Sequence, residues 1–187
     1  MTKIKAVLFD LGGVLVELSG EQHLLALLGN RMTREQMWEQ WLHSSAVRAH
    51  ETGRISATQF AQDLVVEFGI GIPAEEFLAG FRGWLKAPFP GAQTLLDDTT
   101  RRFTTGILSN TSGMHWPIVE GMDLHHRVHH IVVSHEVGEL RSRDATGFVS
   151  THRGRLQPPL PHLLARHAIA KEAKQMLLAA EFNEHTA

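Results

Sequence analysis

The sequence contains no cysteine, and this absence excludes several kinds of chemistry. Disulfides, thiolate metal sites and a cysteine nucleophile are ruled out, and the composition is compatible with a reducing cytoplasm, where we expect the protein to reside. Charge of one sign is not in strong excess either, because 18 Lys+Arg stand against 20 Asp+Glu for a formal net charge of −2. Dedicated nucleic-acid binders usually carry a basic excess, so we expect no nucleic-acid partner.

Long apolar runs are lacking as well. No stretch reaches the roughly 18 uninterrupted apolar residues of a membrane-spanning helix, so we expect no membrane partner. The apolar stretch near the N-terminus is interrupted by Asp10 and no small-residue cleavage site follows, so we expect no signal peptide. With 187 residues, 43% of them hydrophobic, the chain is long enough to bury the core of one globular domain with an inserted subdomain.

Short apolar segments alternate with helical patterns in two parts of the chain, which predicts an α/β fold. The predicted strands are 4–9, 104–108, 130–133 and 176–180, and the predicted helices among them are 92–101 and 161–168. Alternating strands and helices favour a parallel sheet, in which ligands bind beyond the carboxyl ends of the strands. The residues of interest should therefore be the polar ones that directly follow a strand.

The polar residues that follow these strands are Asp10, Ser109 with Asn110, Ser134 and Glu181. A carboxylate at the end of a buried strand can act as a nucleophile and form a covalent aspartyl intermediate. A hydroxyl and an amide at a neighbouring strand end can hold the oxygens of the transferred group. Each feature is common alone, but the combination, in this order and with a helical insert between, is fairly specific.

Residues 20–86 have helical periodicity, with apolar residues three or four apart, which predicts about four packed amphipathic helices. Thr33 with Gln36 and Ser56 with Gln59 match the capping-box pattern of helix starts. We interpret the three tryptophans of this segment as core residues.

These sequence patterns divide the chain into a discontinuous α/β core, residues 1–18 and 87–187, and a helical insert, residues 19–86. The Pro-Phe-Pro-Gly sequence at 88–91 predicts a hinge between them. Residues 139–160 are polar, basic and proline-rich, and are predicted to be loop or disorder.

Two segments resemble motifs of the haloacid dehalogenase (HAD) superfamily. Residues 6–16, AVLFDLGGVLV, resemble its first motif, and residues 108–116, LSNTSGMHW, resemble its second. The match is nearest to small phosphatases that read Asp-Leu-Gly in the first motif, such as the α-glucose-1-phosphate phosphatases. Residues 51–60 resemble a helical-cap segment of that subgroup, and 134–138 the lead-in to the third motif. The resemblance implies a Rossmann-like parallel sheet with an inserted α-helical cap.

The resemblance also implies a Mg²⁺-dependent phosphatase of small phosphorylated metabolites. Asp10 would be the nucleophile, and its carboxylate, with the backbone of Leu11 and Gly12, would face Mg²⁺ and phosphate. Ser109 would donate to the phosphoryl oxygens, with Asn110 beside it, and the cap would exclude water and select the substrate. Magnesium is expected because it neutralises phosphate charge and prefers carboxylate and water oxygens.

Three departures from the family pattern concern the site. Most HAD phosphatases carry a second Asp as general acid and base where this chain has Gly12, although the nearest subgroup shares the glycine. No third-motif Lys-Pro-Asp follows residue 138; Arg141 or Arg143 offers a substitute cation, and Gln157-Pro-Pro resembles a relic of the motif. The fourth motif should end in two aspartates that hold Mg²⁺, and here Glu181 is the one carboxylate offered.

The chain ends at Ala187, without the closing helix and strand of the family. We therefore expect a C-terminally truncated core, with an unpaired sheet edge that lowers stability or promotes self-association. A frameshift pair or a decayed gene would account for both the altered residues 139–160 and this ending.

The histidine-rich segment 125–130 admits a metal site, because His125 and His129, or His126 and His130, would share a helix face and could bind Zn²⁺ or Ni²⁺. The segment leads into a predicted strand, however, so a solvated loop is favoured. We interpret His115 as a packing residue near the pocket rim.

Three functional hypotheses remain. The first is the Mg²⁺-dependent phosphatase acting through Asp10. The second is a catalytically impaired HAD-like protein that binds a ligand or partner, as the changes in the third and fourth motifs suggest. The third is a 2-haloacid dehalogenase, which is less favoured because those relatives commonly carry an aromatic residue at the position of Gly12.

Overall fold

The computed structural model of the 187-residue chain describes residues 6–29, 31–138 and 140. The predictions that lie outside these residues concern the loop at 139–160 (apart from residue 140), Arg141, Arg143, Gln157–Pro159, Glu181, the helix at 161–168, the strand at 176–180 and the C-terminal truncation. In the described ranges, no helix is both long enough and apolar enough to cross a bilayer.

The strands are β1 Ala6–Phe9, β2 Val16–Leu18, β3 Leu85–Pro88, β4 Thr104–Ser109 and β5 His130–Val133. The helices are α1 Gly20–Leu28, α2 Arg34–His43, α3 Ser45–Glu51, α4 Ala57–Phe68, α5 Ala74–Arg82, α6 Ala92–Thr100, α7 Trp116–Glu120 and α8 Ser134–Val137.

Within the described part of the chain, the main sheet is parallel, with three strands in the order β1-β4-β5. Phe9 pairs with Ile107, and Ser109 pairs with Val133. The register brings the carboxyl ends of all three strands to one edge, which we call the carboxyl edge. The α/β fold class and the predicted parallel sheet are confirmed for the described strands.

The segment between residues 20 and 82 forms five helices in its described part, not about four. The additional one is α3, which is separated from α2 by the single residue Ser44. The Ser44 hydroxyl accepts a hydrogen bond from the Val47 N–H at 3.1 Å and thereby caps α3. Because the helical apolar spacing continues across this junction, the sequence pattern does not separate the two helices.

The two predicted capping boxes have different outcomes. At α2 the box is complete: Thr33 Oγ1 accepts from Gln36 N at 3.2 Å, and Thr33 N donates to Gln36 Oε1 at 2.8 Å. At α4 the first bond forms, since Ser56 Oγ accepts from Gln59 N at 3.1 Å. The Gln59 side chain instead donates to Asp63 Oδ1 at 2.8 Å, one turn along the helix, so the second half of that prediction is wrong.

An antiparallel ribbon of β2 and β3 joins the helical segment to the α/β part, and the sequence analysis missed it. The predicted hinge at 88–91 thus begins at the end of a strand. Backbone bonds from Ser19 N to the Trp84 carbonyl and from Phe89 N to the Leu15 carbonyl extend the ribbon. Strands of three and four residues are too short to show an alternating pattern.

The described residues bury two hydrophobic clusters. The helical cluster consists of Leu24, Leu28, Met37, Ala46, Val47, Phe60, Ala61, Leu64, Phe68, Ile70, Phe77, Phe81 and Trp84. The sheet cluster consists of Phe9, Leu11, Leu15, Val16, Ala92, Leu96, Ile107, Trp116, Val119, Leu124 and Val133. Trp38 and Trp41 pack against the helical cluster, so the core role of the three tryptophans is confirmed. The division into cap and core domains stays a prediction.

Candidate functional site

Three polar side chains lie at the carboxyl edge, one at the end of each described strand of the main sheet. Asp10 follows β1, Ser109 ends β4 and Ser134 follows β5. All three are buried, with exposed fractions of 6%, 3% and 0%. Asp10 is the one carboxylate that is buried in the described part of the chain.

Among the described residues, two groups donate hydrogen bonds to the same carboxylate oxygen of Asp10. The Ser109 hydroxyl donates to Asp10 Oδ1 at 2.7 Å, and the Leu11 N–H donates to the same oxygen at 2.8 Å. Bonds to a charged acceptor are stronger than neutral ones, and together they fix the rotation of the carboxylate. The predicted closeness of Asp10 and Ser109 is confirmed, while their catalytic roles stay predictions. Asn110, half-buried, follows Ser109 directly.

A tight turn at residues 11–15 follows Asp10. The Leu11 carbonyl accepts from the N–H groups of Val14, Leu15 and Val16 at 2.9–3.2 Å, which closes one short turn of chain. Gly13 has φ = 74°, a left-handed conformation that favours glycine. This turn brings the chain back over the residues that follow Asp10.

Gly12 lies under the side chain of Leu18. A Cβ atom added to Gly12 would lie 2.7 Å from Leu18 Cδ1, too close for the present position of the leucine. Leu18 is itself 44% exposed, unusually high for a large apolar side chain of this molecule. The sequence analysis did not single out Leu18, because its contact with Gly12 depends on the turn at 11–15.

Ser134 links the carboxyl edge to the helical segment. Its Oγ accepts from Thr111 N at 3.0 Å, and its hydroxyl lies 2.5 Å from the Glu51 carbonyl oxygen and 3.0 Å from that of Thr111. The last residue of α3 is thereby tied to the loop after β4. Since the tie runs to a backbone carbonyl, no side-chain pattern could have identified it.

The loop between α3 and α4 lies against the segment that follows β5. Gly53 has φ = 70°, and a Cβ there would lie 3.0 Å from the His135 carbonyl oxygen. The Arg54 guanidinium donates to the Gly138 carbonyl at 3.4 Å. This loop belongs to the segment 51–60 that resembles a HAD cap, and it reaches the carboxyl edge.

His115, 7% exposed, packs between the loop after β4 and α5. Its Nε2 lies 3.0 Å from the Phe81 carbonyl, to which it donates, and its ring centroid is 4.7 Å from that of Phe81. Burial lowers the pKa of His115, an effect that the bond to Phe81 opposes and the charge of Arg82 adds to. Burial therefore favours the neutral imidazole, and the predicted packing role is confirmed.

His50 lies nearby in the helical segment and is 5% exposed. Its ring stacks on Phe60 with a centroid distance of 4.3 Å. Neither ring nitrogen has a hydrogen-bond partner among the described residues. Burial lowers the pKa of His50 to about 4, with a further contribution from His115.

The histidine-rich segment does not form a metal site in the described part of the chain. His125–Arg127 form a single 3-10 turn, and His129 Nδ1 accepts from Thr105 N at 3.0 Å beside β4. Across residues 6–29, 31–138 and 140, no group of three or more His, Asp or Glu side chains could hold a metal ion. The zinc or nickel alternative thus lacks a ligand set here.

The oxygen donors beside the carboxyl edge suit magnesium in kind. The buried Asp10 carboxylate and the main-chain carbonyl of Gly12 are hard oxygen ligands of the type that Mg²⁺ prefers. Glu181 and Arg141, the further predicted ligand and phosphate-binding cation, lie outside the described residues.

Comparison with known proteins rests on solved structures. No family model matches the sequence, and no curated protein does. A HAD family enzyme from Bacteroides thetaiotaomicron is similar, with a TM-score of 0.60 at 18% identity over 92% of this chain and 91% of that one. A HAD-like family hydrolase from Porphyromonas gingivalis gives 0.60 at 18% identity over 92% and 88%.

The Bacteroides enzyme has also been solved in complex with magnesium and inorganic phosphate. That structure is similar to this chain with a TM-score of 0.57 at 20% identity, over 80% of this chain and 78% of that one. Together with the parallel sheet and its carboxyl edge, these similarities show that the chain has the fold of the HAD family hydrolases.

Proposed function

We propose that the protein is a HAD superfamily hydrolase, a Mg²⁺-dependent phosphatase of small phosphorylated metabolites that acts through Asp10. The observation that carries the proposal is the buried Asp10 carboxylate, hydrogen-bonded to Ser109 at the carboxyl ends of two adjacent parallel strands. A carboxylate is rarely buried without a structural or chemical reason.

The chemistry proceeds in two displacements. A carboxylate oxygen of Asp10 attacks the phosphorus of the monoester, the bond to the leaving oxygen breaks, and an aspartyl-phosphate forms. Water then attacks the phosphorus of this intermediate, which releases inorganic phosphate and restores the carboxylate. Each step is a displacement on phosphorus that depends on positioning and on stabilising the charge of the phosphoryl oxygens.

The hydrogen bonds around Asp10 set up the first step. The bonds from Leu11 N and Ser109 Oγ fix the carboxylate in one orientation. When a phosphoryl group is bound, rotation of the Ser109 hydroxyl redirects its hydrogen toward a phosphoryl oxygen, where the negative charge lies. Asn110 is proposed to contact the same group, and Arg141 to supply a cation.

The proposed ligands of magnesium are the Asp10 carboxylate, the Gly12 carbonyl and Glu181. Bound there, Mg²⁺ would neutralise phosphate charge and orient the phosphoryl group. The magnesium and phosphate complex of the similarly folded Bacteroides enzyme supports this part of the proposal.

The helical segment is proposed to act as a cap that excludes water and selects the substrate. Two contacts between this segment and the carboxyl edge support the proposed role. The Glu51 carbonyl contacts the Ser134 hydroxyl, and Gly53 lies against the backbone of His135. Excluding water strengthens the electrostatic interactions inside a site and protects a reactive intermediate.

The test is a panel of phosphate esters assayed with and without Mg²⁺. Turnover should require the metal, and Asp10→Asn should reduce it by several orders of magnitude, because that change removes the nucleophile. The matched control is Asp63→Asn, which alters an exposed carboxylate on α4. Absence of turnover by the folded protein would contradict the proposal and favour the binding-protein hypothesis.

Turnover in ¹⁸O-labelled water separates phosphatase from dehalogenase chemistry. In the proposed reaction water attacks phosphorus, so the label appears in phosphate. In a dehalogenase water attacks the carbonyl carbon of an aspartyl ester, so the label appears in the Asp10 side chain. Metal-independent halide release with labelled Asp10 would replace the proposal with the dehalogenase hypothesis.

A further inference from the structure

Two buried histidines lie where the helical segment meets the loop that follows β4. His50 is on α3 and His115 is in the loop, and their exposed fractions are 5% and 7%. Both rings lie beside the Phe81 ring of α5, with centroid distances of 6.2 Å and 4.7 Å. We call these three residues the histidine contact. A contact between two parts of the chain thus contains two groups that can gain positive charge.

Two polar contacts join the helical segment to the α/β part beside the histidine contact. His115 Nε2 donates to the Phe81 carbonyl at 3.0 Å, near the end of α5. The Ser134 hydroxyl contacts the carbonyl of Glu51, the residue that follows His50 at the end of α3. If the helical segment moves away from the loop, both of these contacts must break.

Burial opposes the protonation of both rings. A charged imidazole that is buried loses the hydration it has in water, so the neutral form is favoured. This burial lowers the pKa of His50 to about 4, with a further contribution from the charge of His115. Burial also lowers the pKa of His115, an effect that the bond to Phe81 opposes and the charge of Arg82 adds to. Both rings therefore take up a proton more readily once they are exposed to water.

The charges that act on the two rings are themselves cationic. Arg82, at the end of α5, acts on His115, and His115 acts on His50, so each added proton increases the repulsion. The carboxylates of the elements around the contact are exposed or half-buried: Glu51 on α3, Asp63 and Glu67 on α4, Glu75 and Glu76 on α5, and Glu136 on α8. Arg48 and Arg54 are exposed, and the imidazole of His135 on α8 is half-buried.

We propose that the histidine contact is a pH-sensitive connection, which holds the helical segment against the loop after β4 while both rings are neutral and releases it when they are protonated. Release would separate the end of α3 from Ser134 and so open this side of the carboxyl edge. The inference concerns a conformational change of the chain and goes beyond the proposed reaction.

The lowered pKa of His50 sets the direction and the size of the effect. Because the exposed ring binds a proton more strongly, protons favour the released form. The contribution of His50 to the closed form is complete above its usual pKa of 6.5 and is lost as the pH falls toward 4. These two pKa values shift the equilibrium toward the released form by about 20-fold between pH 7 and pH 5. The titration of His115 shifts it in the same direction.

Hydrogen–deuterium exchange of the full chain at pH 7 and pH 5, measured by peptide mass spectrometry, tests the proposal. After correction for the intrinsic exchange rate, the amides of residues 51–54 and 111–116 should exchange about 20-fold faster at pH 5. The amides of β4 should change much less, because release of the helical segment leaves the sheet paired.

A double variant removes both titrating groups. In His50→Leu combined with His115→Gln, the glutamine keeps an N–H group that can donate to the Phe81 carbonyl. The corrected exchange of the two segments should then be nearly the same at both pH values. His43→Gln is the matched control, because His43 is exposed on α2, and it should keep the full response. Circular dichroism at both pH values checks that each variant is folded.

The possible outcomes decide for or against the proposal. A response that disappears in the double variant, persists in His43→Gln and spares β4 would support it. Exchange in the unchanged protein that does not depend on pH would overturn it, and this measurement needs no variant. An equal rise across β4 would overturn it as well, because acid would then unfold the whole described fold. A folded double variant that keeps the full response would assign the pH dependence to other groups.

Discussion

The two hydrophobic clusters of the molecule differ in what they are made of. The helical cluster is dominated by aromatic rings, and the Phe81 ring alone lies 4.8–6.3 Å from those of Trp84, Phe60, Phe77 and Trp41. The sheet cluster is mainly aliphatic, with Phe9 and Trp116 as its aromatic members. Packing of large rings shapes one part of the protein, and regular strand pairing shapes the other.

Buried polar groups follow the same division. In the helical segment, Ser44 and Thr52 hydrogen-bond to the helix backbone. The ring nitrogens of His50 have no hydrogen-bond partner among the described residues. In the α/β part, Asp10 and Ser109 are hydrogen-bonded to each other at the carboxyl edge, and Ser134 lies at the same edge. In the described residues, the buried carboxylate thus lies at a strand end, whereas the buried polar side chains of the helical segment lie within or beside its helices.

The largest expected effect on stability comes from the aromatic packing. Phe60→Ala should lower the free energy of unfolding by about 3–5 kcal/mol, because it removes a ring that is 1% exposed and contacts His50 and Phe81. Urea denaturation measures this change. Val66→Ala, at an exposed position, should stay within about 0.5 kcal/mol. Equal effects of the two substitutions would contradict the packing assigned to Phe60.

Loss of the Ser134 hydroxyl should weaken the tie between the two parts. Ser134→Ala removes the acceptor of the Thr111 N–H and should cost about 1–3 kcal/mol. It should also increase hydrogen exchange at the end of α3, since the contact between the Ser134 hydroxyl and the Glu51 carbonyl is lost. Ser45→Ala, at an exposed position on α3, is the control. Unchanged exchange near Glu51 would show that the helical segment is held by other contacts.

Acid should destabilise the protein through His50. The pKa of His50 is lowered to about 4 in the folded state, so the unfolded chain binds the proton more strongly. The stabilising contribution is therefore complete above about pH 6.5 and is lost as the pH falls toward 4, at most about 1.4 kcal/mol per pH unit. His50→Leu should make the unfolding free energy less dependent on pH in this range. An unchanged pH profile would contradict the assignment.

The smallest expected effect is the loss of stability when the N-cap residue of α2 or α4 is replaced. Thr33→Ala removes one bond of a complete capping box and should cost about 1 kcal/mol. Ser56→Ala should cost no more than that, because Gln59 bonds to Asp63 and not to the cap backbone. Thermal melting of the two variants makes the comparison, and a greater loss in Ser56→Ala would reverse it.

The sequence predicts well those parts that depend on local patterns. The apolar runs before Asp10 and Ser109 identify β1 and β4, and parallel pairing then brings the two side chains together. The sequence does not predict contacts that depend on the path of the backbone. Leu18 reaches Gly12 through the turn at 11–15. Ser134 bonds to the backbone carbonyl of Glu51, and a bond to a backbone group cannot be predicted from the pattern of side chains.

Asp10 is proposed to become phosphorylated during turnover. The direct measurement is an acid quench of the protein with acetyl phosphate and Mg²⁺, followed by peptide mass spectrometry. Our expectation is one phosphoryl group on the peptide that contains Asp10, and none in Asp10→Asn. Turnover with the phosphoryl group on another residue, or undiminished turnover by Asp10→Asn, would contradict it.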